Sequence, residues 1–388
     1  MTDNLCSIPW TGFSNEPNGK AQPCCLYKGN IEKDGNPMYV QNYTVQEIFQ
    51  SEYMKELRQR FRLNQKPNEC QVCWTDEQNG YQSKRLVYRN HVHNKLNLDF
   101  SKEPEIVQEL QLIISNSCNL KCRSCTPSHS SKWQNEFKII TGNIGYDMPY
   151  QQPGDEKSVL WNDRKNWYKY LSRLEVVGGE PFFVKQWHQI FQELSDLGYS
   201  KNIDITMTTN CTLFFPDLVK LLYKNFKSVS IGLSIDGIGS VYEYLRHPAK
   251  WEVALINIEK YYTFIDTINL QLIITIGWLN ALEVLKLHDL VYSKFPKLQI
   301  WNNLIHSPEF MALWAAPTLY KDKIESAWTS FDWDQKYINV CKSMLSFMRS
   351  RELTEDEFKI NISKINNVDS FRKESLTLSI PDIKEYIL

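Results

Sequence analysis

From about residue 108 onward, short apolar runs recur, each followed by a stretch whose apolar positions return at helical spacing. The runs are Leu110 to Ser115, Leu174 to Val177, Ile203 to Thr208, Val229 to Ile235, Leu270 to Ile276 and Leu298 to Trp301. Between them the pattern predicts helices over Val184 to Leu197, Pro216 to Phe226, Trp251 to Phe264 and Ala281 to Phe295. Strand alternating with helix implies a parallel sheet covered by helices. Six such units are too few for an eight-stranded barrel and too spread for a small flavodoxin-like domain, which leaves an α/β fold of the partial (βα)6 TIM-barrel kind. The spacer from 128 to 170 is long for a connection and rich in Trp and Tyr, as functional insertions often are. Its aromatic residues from 133 on are expected in the core rather than on a substrate platform. Residues 317 to 388 read as helical, ending in a polar tail.

The first 105 residues have a different texture. Asn15, Pro17, Asn18, Gly19, Gly29, Gly35 and Pro37 punctuate them. One clear helix is expected, starting at Thr44, where Thr44 and Glu47 have capping-box spacing. Its apolar face is Val45, Ile48, Phe49, Met54, Leu57 and Phe61. The expected organisation is therefore a small cysteine-bearing domain over 1–105, the α/β core over 106–316 and a helical extension over 317–388.

With 388 residues and 42% hydrophobic residues the chain has ample core material; 23% charged residues and a net charge of -1 exclude a disordered chain and a histone-like nucleic-acid binder. Nucleic acid is accordingly not the expected partner. No run approaches 18 apolar residues; the longest, around Leu272 to Leu285, is broken by Gly277 and Asn280. The opening residues have neither a basic start nor an apolar signal core. A cytoplasmic protein without a membrane span is expected.

The ten cysteines change the picture most. A secreted disulfide scaffold is short and cysteine-dense, and this chain is neither. They fall in groups: Cys6; Cys24 and Cys25; Cys70 and Cys73; Cys118, Cys122 and Cys125. Such groups suit metal or iron–sulfur sites. Cys211 and Cys341 stand alone, and both are expected as core residues. The seven histidines show no His-x3-His spacing, so a mononuclear zinc hydrolase is not expected; His306, past the sixth strand, is expected to be structural.

The most informative stretch runs from Leu112 to Cys125. A strand ends and a loop at once presents three thiols, at the spacing Cys-x3-Cys-x2-Cys. Three thiolates can hold one face of a [4Fe–4S] cube and leave one iron open for a ligand. The carboxyl ends of barrel strands are also where such folds do their chemistry. Zinc ligation or unrelated core cysteines remain the bland alternatives from spacing alone. The next strand ends in Gly178-Gly179-Glu180-Pro181. Two glycines let backbone approach a ligand, and a glutamate accepts from an ammonium; alone, this is also an ordinary strand-to-helix turn.

Together these two motifs resemble the radical SAM superfamily. The resemblance implies that Cys118, Cys122 and Cys125 hold a [4Fe–4S] cluster whose open iron binds S-adenosylmethionine (SAM). It implies reductive cleavage to a 5′-deoxyadenosyl radical, which takes a hydrogen atom from substrate. Gly178, Gly179, Glu180 and Pro181 match the motif that holds the methionine amino group. Asn210, after Thr208 and Thr209, would lie near the cofactor. Ser234 and Asp236 resemble the family's Ser-x-Asp segment near the ribose and carboxylate, and Arg246 matches an arginine used for the carboxylate. Asp236 is equally a helix N-cap, and Arg246 equally a surface residue. The residue before the third cysteine is commonly aromatic in the family; here it is Ser124. Cys211 stands where relatives often carry glycine, and is a weak candidate for returning a hydrogen atom to substrate.

Cys6, Gly19-x4-Cys24 and Cys70-x2-Cys73 look like a twitch or SPASM module, which binds an auxiliary [4Fe–4S] cluster. It is usually C-terminal; here it precedes the barrel. Cys6, Cys24, Cys70 and Cys73 would be the ligands, with Cys25 able to replace Cys24. Four-cysteine zinc fits Cys-x2-Cys as well. The resemblance implies a reductant partner such as flavodoxin or ferredoxin, and a substrate that is a peptide, protein or small molecule. Because the cysteine module fills residues 1–105, no separate leader-binding winged helix is expected there. The rival reading is a non-catalytic iron–sulfur or zinc protein for electron transfer or scaffolding.

Overall fold

The computed structural model describes residues 4–78, 80, 82–89, 98–141 and 152–387. Part of the aromatic spacer, with Tyr146 and Tyr150, lies outside them. Backbone packing divides the chain into two compact units. One comprises Met1–Ser117, Tyr146–Met207 and Pro216–Val229; the other comprises Cys118–Gly145, Thr208–Phe215 and Ser230–Leu388.

The first unit is built on strands β1 (Gly12–Asn15), β2 (Ala21–Gln22), β5 (Glu109–Leu112), β6 (Arg173–Val176) and β7 (Asp204–Thr209), in the order β2-β1-β5-β6-β7. A separate small hairpin pairs β3 (Glu32–Lys33) with β4 (Asn36–Pro37). From β1 to β7 the pairing is parallel, and β2 closes the edge antiparallel. The second unit carries β8 (Ser228–Ser234), β9 (Asn269–Ile276) and β10 (Gln299–Leu304), with β9 paired parallel to both neighbours. A mixed α/β protein with parallel strands is what the alternating pattern predicted. β9 shows why: Leu270, Leu272, Ile274 and Ile276 are buried, one face of a period-two strand. The helix Lys185–Asp196 shows the other half, burying Trp187, Ile190, Phe191 and Leu194 along one stripe.

Strand β1 was not expected from the sequence. Gly12 pairs with Glu109 so closely that a Cβ at residue 12 would lie 1.6 Å from the Glu109 carbonyl oxygen. Asn15 then extends the ladder with its side chain, bonding both the N–H and the carbonyl of Ile113 at 3.1 and 2.9 Å. The N-terminal residues therefore share a sheet with the α/β core. The single helix expected after Thr44 is two: Val45–Phe49, opened by a Thr44–Glu47 capping box, and Glu52–Arg62. The break lies at Ser51, whose hydroxyl caps the second helix at the Met54 N–H.

In the second unit the C-terminal helices Thr318–Ser330, Ile338–Arg349 and Glu355–Arg372 bear out the helical pattern. The final stretch is not merely polar: Leu376, Ile380 and Ile383 are buried. Among the described residues no helix is long and apolar enough to cross a membrane.

Candidate metal centres

In the second unit the loop Cys118–Cys125 is pinned by backbone on both sides of Cys122. The Lys121 N–H donates to the His247 carbonyl and the Arg123 N–H to the Leu245 carbonyl, both at 2.7 Å. This pairing sets Cys122 opposite Arg246. The Trp133 indole N–H donates to the Cys122 carbonyl at 2.7 Å, and the Ser130 hydroxyl to that of Leu120 at 2.6 Å. Arg123 is buried, stacked 3.6 Å over the Tyr244 ring and ion-paired with Asp369 and Glu374. Glu374 also meets His247 at 2.6 Å, and Arg372 bonds the Lys121 carbonyl at 2.9 Å. The helix Glu355–Arg372, with Glu374 just beyond it, thus clamps the loop, a role not foreseen from the sequence.

The three thiols lie near enough to act on one another electrostatically. Burial pushes Cys125 well up, and the neighbouring Cys122 and Cys118 add to it. Burial also raises Cys122, while the Arg246 guanidinium works against this and Asp236 with it. A thiol so buried holds its proton in the absence of metal, and a cation binding there would displace that proton to solvent. Cys118 receives the Leu120 N–H at 3.4 Å and the Asn210 amide at 4.0 Å. That amide is held by a closed ring of hydrogen bonds: Asn210 to Asn119 at 2.9 Å, Asn119 to Thr212 at 2.7 Å and Thr212 to Asn210 at 2.6 Å.

Asp236 and Arg246 form a buried ion pair at 2.8 Å. The other Asp236 oxygen accepts from the Thr275 N–H at 2.8 Å. Asp236 therefore does not cap a helix; Gly239–Leu245 begins from Ile238 without a side-chain cap. Nor is Arg246 on the surface, being only 7% exposed. Burial disfavours its charge, but the Asp236 carboxylate and nearby Cys122 outweigh that and hold its pKa above the ordinary value. Its Nε is buried with no hydrogen-bond partner among the described residues. Ser234 ends β8, half-buried. Cys211 is fully buried at φ 61°, a left-handed conformation that explains why glycine suits this position. Cys341 is buried as expected, its thiol pushed up to about 11 by that burial. His306 is exposed, with its ring 5.1 Å from Phe347.

In the first unit the Gly178–Pro181 turn packs on the end of the chain segment that leads into Cys118. Gly178 and Gly179 have φ of 83° and 57°, and a Cβ on Gly179 would lie 2.3 Å from the Ser117 carbonyl oxygen. The Glu180 N–H donates to that oxygen at 2.9 Å. Glu180 is buried, and one carboxylate oxygen caps the short turn Pro181–Phe183 through the Phe182 N–H at 3.1 Å. Asn116, beside this contact, has a buried amide nitrogen with no partner among the described residues. A cavity of about 620 Å³ opens nearby, with Ser117, Lys157, Trp161, Phe183 and Gln189 on its wall. The expected burial of the spacer aromatics holds for Trp133, Trp161, Trp167 and Tyr168, while Tyr170 is exposed.

The same unit gathers four more thiols. Cys6 and Cys73 are buried, and Cys24 and Cys70 pack against the same apolar cluster of Leu5, Trp10, Tyr27 and Trp74. Cys70 ends a short turn and Cys73 lies in the helix Gln71–Gln78 that follows. Burial raises Cys6 well up, with Cys24, Cys70 and Cys73 adding to it. Cys24 is pushed up to about 12 by burial and by Cys25, with Lys84 opposing. Burial raises Cys70 too, helped by Cys24 and Cys73. Cys25, by contrast, is exposed, with the Lys84 ammonium 3.1 Å from its sulfur. Among the described residues no three His, Cys, Asp or Glu side chains close to the spacing of a single metal ion. The thiols of a cubane bind different irons and stand farther apart.

Residues 6–74 match the SPASM iron–sulfur cluster-binding domain. The sequence resemblance to a SPASM-like module, and the iron–sulfur cofactor expected for it, are borne out over that segment. No curated protein matches the chain. Among solved structures, native anSMEcpe with bound AdoMet is 19% identical at a TM-score of 0.37, over 51% of this chain and 52% of its own. The same enzyme with AdoMet and the Cp18Cys peptide is 18% identical at 0.38, over 60% and 61%. Streptococcus suis SuiB bound to its precursor peptide SuiA is 15% identical at 0.34, over 87% and 65%. The chain thus spans between half and two thirds of the length of these proteins. Scores this low leave the fold to be read from the chain's own strand order.

Proposed function

We propose that the chain is a radical SAM enzyme with an auxiliary iron–sulfur module. The α/β core is read as a partial (βα)6 barrel over 106–316, preceded by the cysteine module of 1–105 and followed by the extension of 317–388. Cys118, Cys122 and Cys125 would hold one [4Fe–4S] cluster, and Cys6, Cys24, Cys70 and Cys73 a second. The observation that carries this is the hydrogen bond from Glu180 to the Ser117 carbonyl, which ties the Gly-Gly-Glu-Pro turn to the residue preceding Cys118. A scaffold protein has no need of that turn at that place.

Held by Cys118, Cys122 and Cys125, the first cluster would supply the electron for reductive cleavage of SAM and so the means of hydrogen-atom abstraction from substrate. The chain's own groups fit that ligand. The Asn116 amide and the Arg246 Nε are buried donors with no partner among the described residues, and each suits a carboxylate or hydroxyl. Gly178, Gly179, Glu180 and Pro181 would be the cofactor-binding residues of the first unit, and Asn210, Ser234, Asp236 and Arg246 those of the second. Asp236 orients Arg246, and the Asn119–Thr212–Asn210 ring fixes the amide against Cys118. Cys211 has no role in this account beyond packing. The substrate is a peptide, protein or small molecule, and a flavodoxin or ferredoxin the source of electrons in the cytoplasm. The test is release of 5′-deoxyadenosine by anaerobically reconstituted protein given SAM and a reductant. Release is expected; metal-loaded protein that releases none would leave the electron-transfer or scaffold reading.

A further inference from the structure

The donor set of the N-terminal site is ambiguous in one place, because Cys24 and Cys25 are neighbours and either thiol could be the fourth ligand. The surroundings differ. Cys24 packs against the apolar cluster and feels Cys6, Cys70 and Cys73. Cys25 is exposed and its sulfur lies 3.1 Å from the Lys84 ammonium. Lys84 is no loose surface lysine. It is half-buried, and its ammonium also reaches the Gln111 side-chain oxygen at 3.4 Å. Gln111, on β5, donates to Glu175 on β6 at 2.7 Å, and Tyr88 meets the other oxygen of Glu175 at 3.4 Å. The Lys84 ammonium stands 5.4 Å over the Tyr88 ring. Two strands and a tyrosine thus hold the ammonium where Cys25 meets it.

We propose that Lys84 is a positioning residue: it holds Cys25 outside the donor set, so that Cys24 completes the four-thiol site, and it leaves a fixed positive charge beside the bound metal. The first half rests on a metal at this site, and the second on that metal being an iron–sulfur cluster. A nearby cation stabilises the more negative, reduced form of such a cluster.

The experiment compares Cys24→Ala, Cys25→Ala, Lys84→Met, Lys84→Arg and the double variant Cys24→Ala/Lys84→Met of the full chain, reconstituted anaerobically. The readouts are metal per chain and the midpoint potential of the N-terminal cluster. Cys25→Ala is expected to keep its full metal content and Cys24→Ala to lose that of the N-terminal site. The double variant regains metal, because Cys25 is released to serve. Lys84→Met keeps its metal but becomes harder to reduce, on the order of tenfold in the equilibrium constant or about 59 mV for one electron; Lys84→Arg returns toward wild type. Metal lost from Cys25→Ala and kept by Cys24→Ala would overturn the ligand choice. An unchanged potential in Lys84→Met would overturn the charge. Should Cys24→Ala fail to fold, Cys25→Ala and Lys84→Met still decide the matter. Zinc in the wild-type site would sink the iron–sulfur reading separately, while zinc content would still test Cys24 against Cys25.

Discussion

The two cysteine sites solve the same problem in opposite ways. The Cys118–Cys125 loop carries three thiols on eight consecutive residues and is held by protein on every side: backbone bonds to Leu245 and His247, the Trp133 indole and the Arg123 ion pairs. The proposed N-terminal set comes from distant positions, with Cys6, Cys24 and Cys70 at a modest apolar cluster and Cys73 in the helix after Cys70. On the proposed reading the first site would be preorganised without metal, and the second would use its metal as part of the core. A donor set assembled from afar closes long loops, so metal binding there is also folding free energy. A set on one clamped loop can spend its binding energy on chemistry and keep an iron open.

The largest expected break in this comparison is Cys122→Ala. It should reduce deoxyadenosine formation to background while the N-terminal site keeps its iron, as product and metal assays would report. Arg123→Ala attacks the clamp. It leaves the buried Asp369 carboxylate without its cation and takes from half-buried Glu374 one of its two partners, and unfolding in urea should show a loss of about 3–5 kcal/mol. If the clamp were ornamental, the loss would be near that of an exposed ion pair, below about 1 kcal/mol. Chelating the metal sharpens the contrast. Amide exchange should rise across residues 6–74 and little across 118–125, since only the former depends on metal for its core. Equal deprotection of both would erase the distinction. The smallest effect belongs to Asn210→Ala. It removes the amide near the Cys118 sulfur and should lower the midpoint potential of the loop's cluster without changing iron content, because hydrogen bonds to sulfur set such potentials.

The difference between the sites also governed what the sequence could reveal. A ligand set packed into Cys-x3-Cys-x2-Cys after an apolar run is visible as spacing, and the strand-helix alternation around it follows from period-two and period-3.6 burial. Strand β1 was hidden because Gly12–Asn15 is four residues among turn formers, and its partner lies almost a hundred positions away. The clamp was hidden for the same reason. Arg123, Asp369 and Glu374 look like ordinary surface charges until the fold brings them together. Cys24 was expected as the ligand with Cys25 as a possible replacement, because their different surroundings, the apolar cluster for Cys24 and Lys84 for Cys25, show only in the fold.

The most direct test counts metal in two proteins side by side. Wild type and the triple variant Cys118→Ala/Cys122→Ala/Cys125→Ala are reconstituted anaerobically, and iron, acid-labile sulfide and zinc are measured per folded chain. Two separate cubane sites predict about eight irons in wild type and about four in the variant. Equal iron in the two proteins would mean that the Cys118–Cys125 loop holds no cluster, and the account would fall.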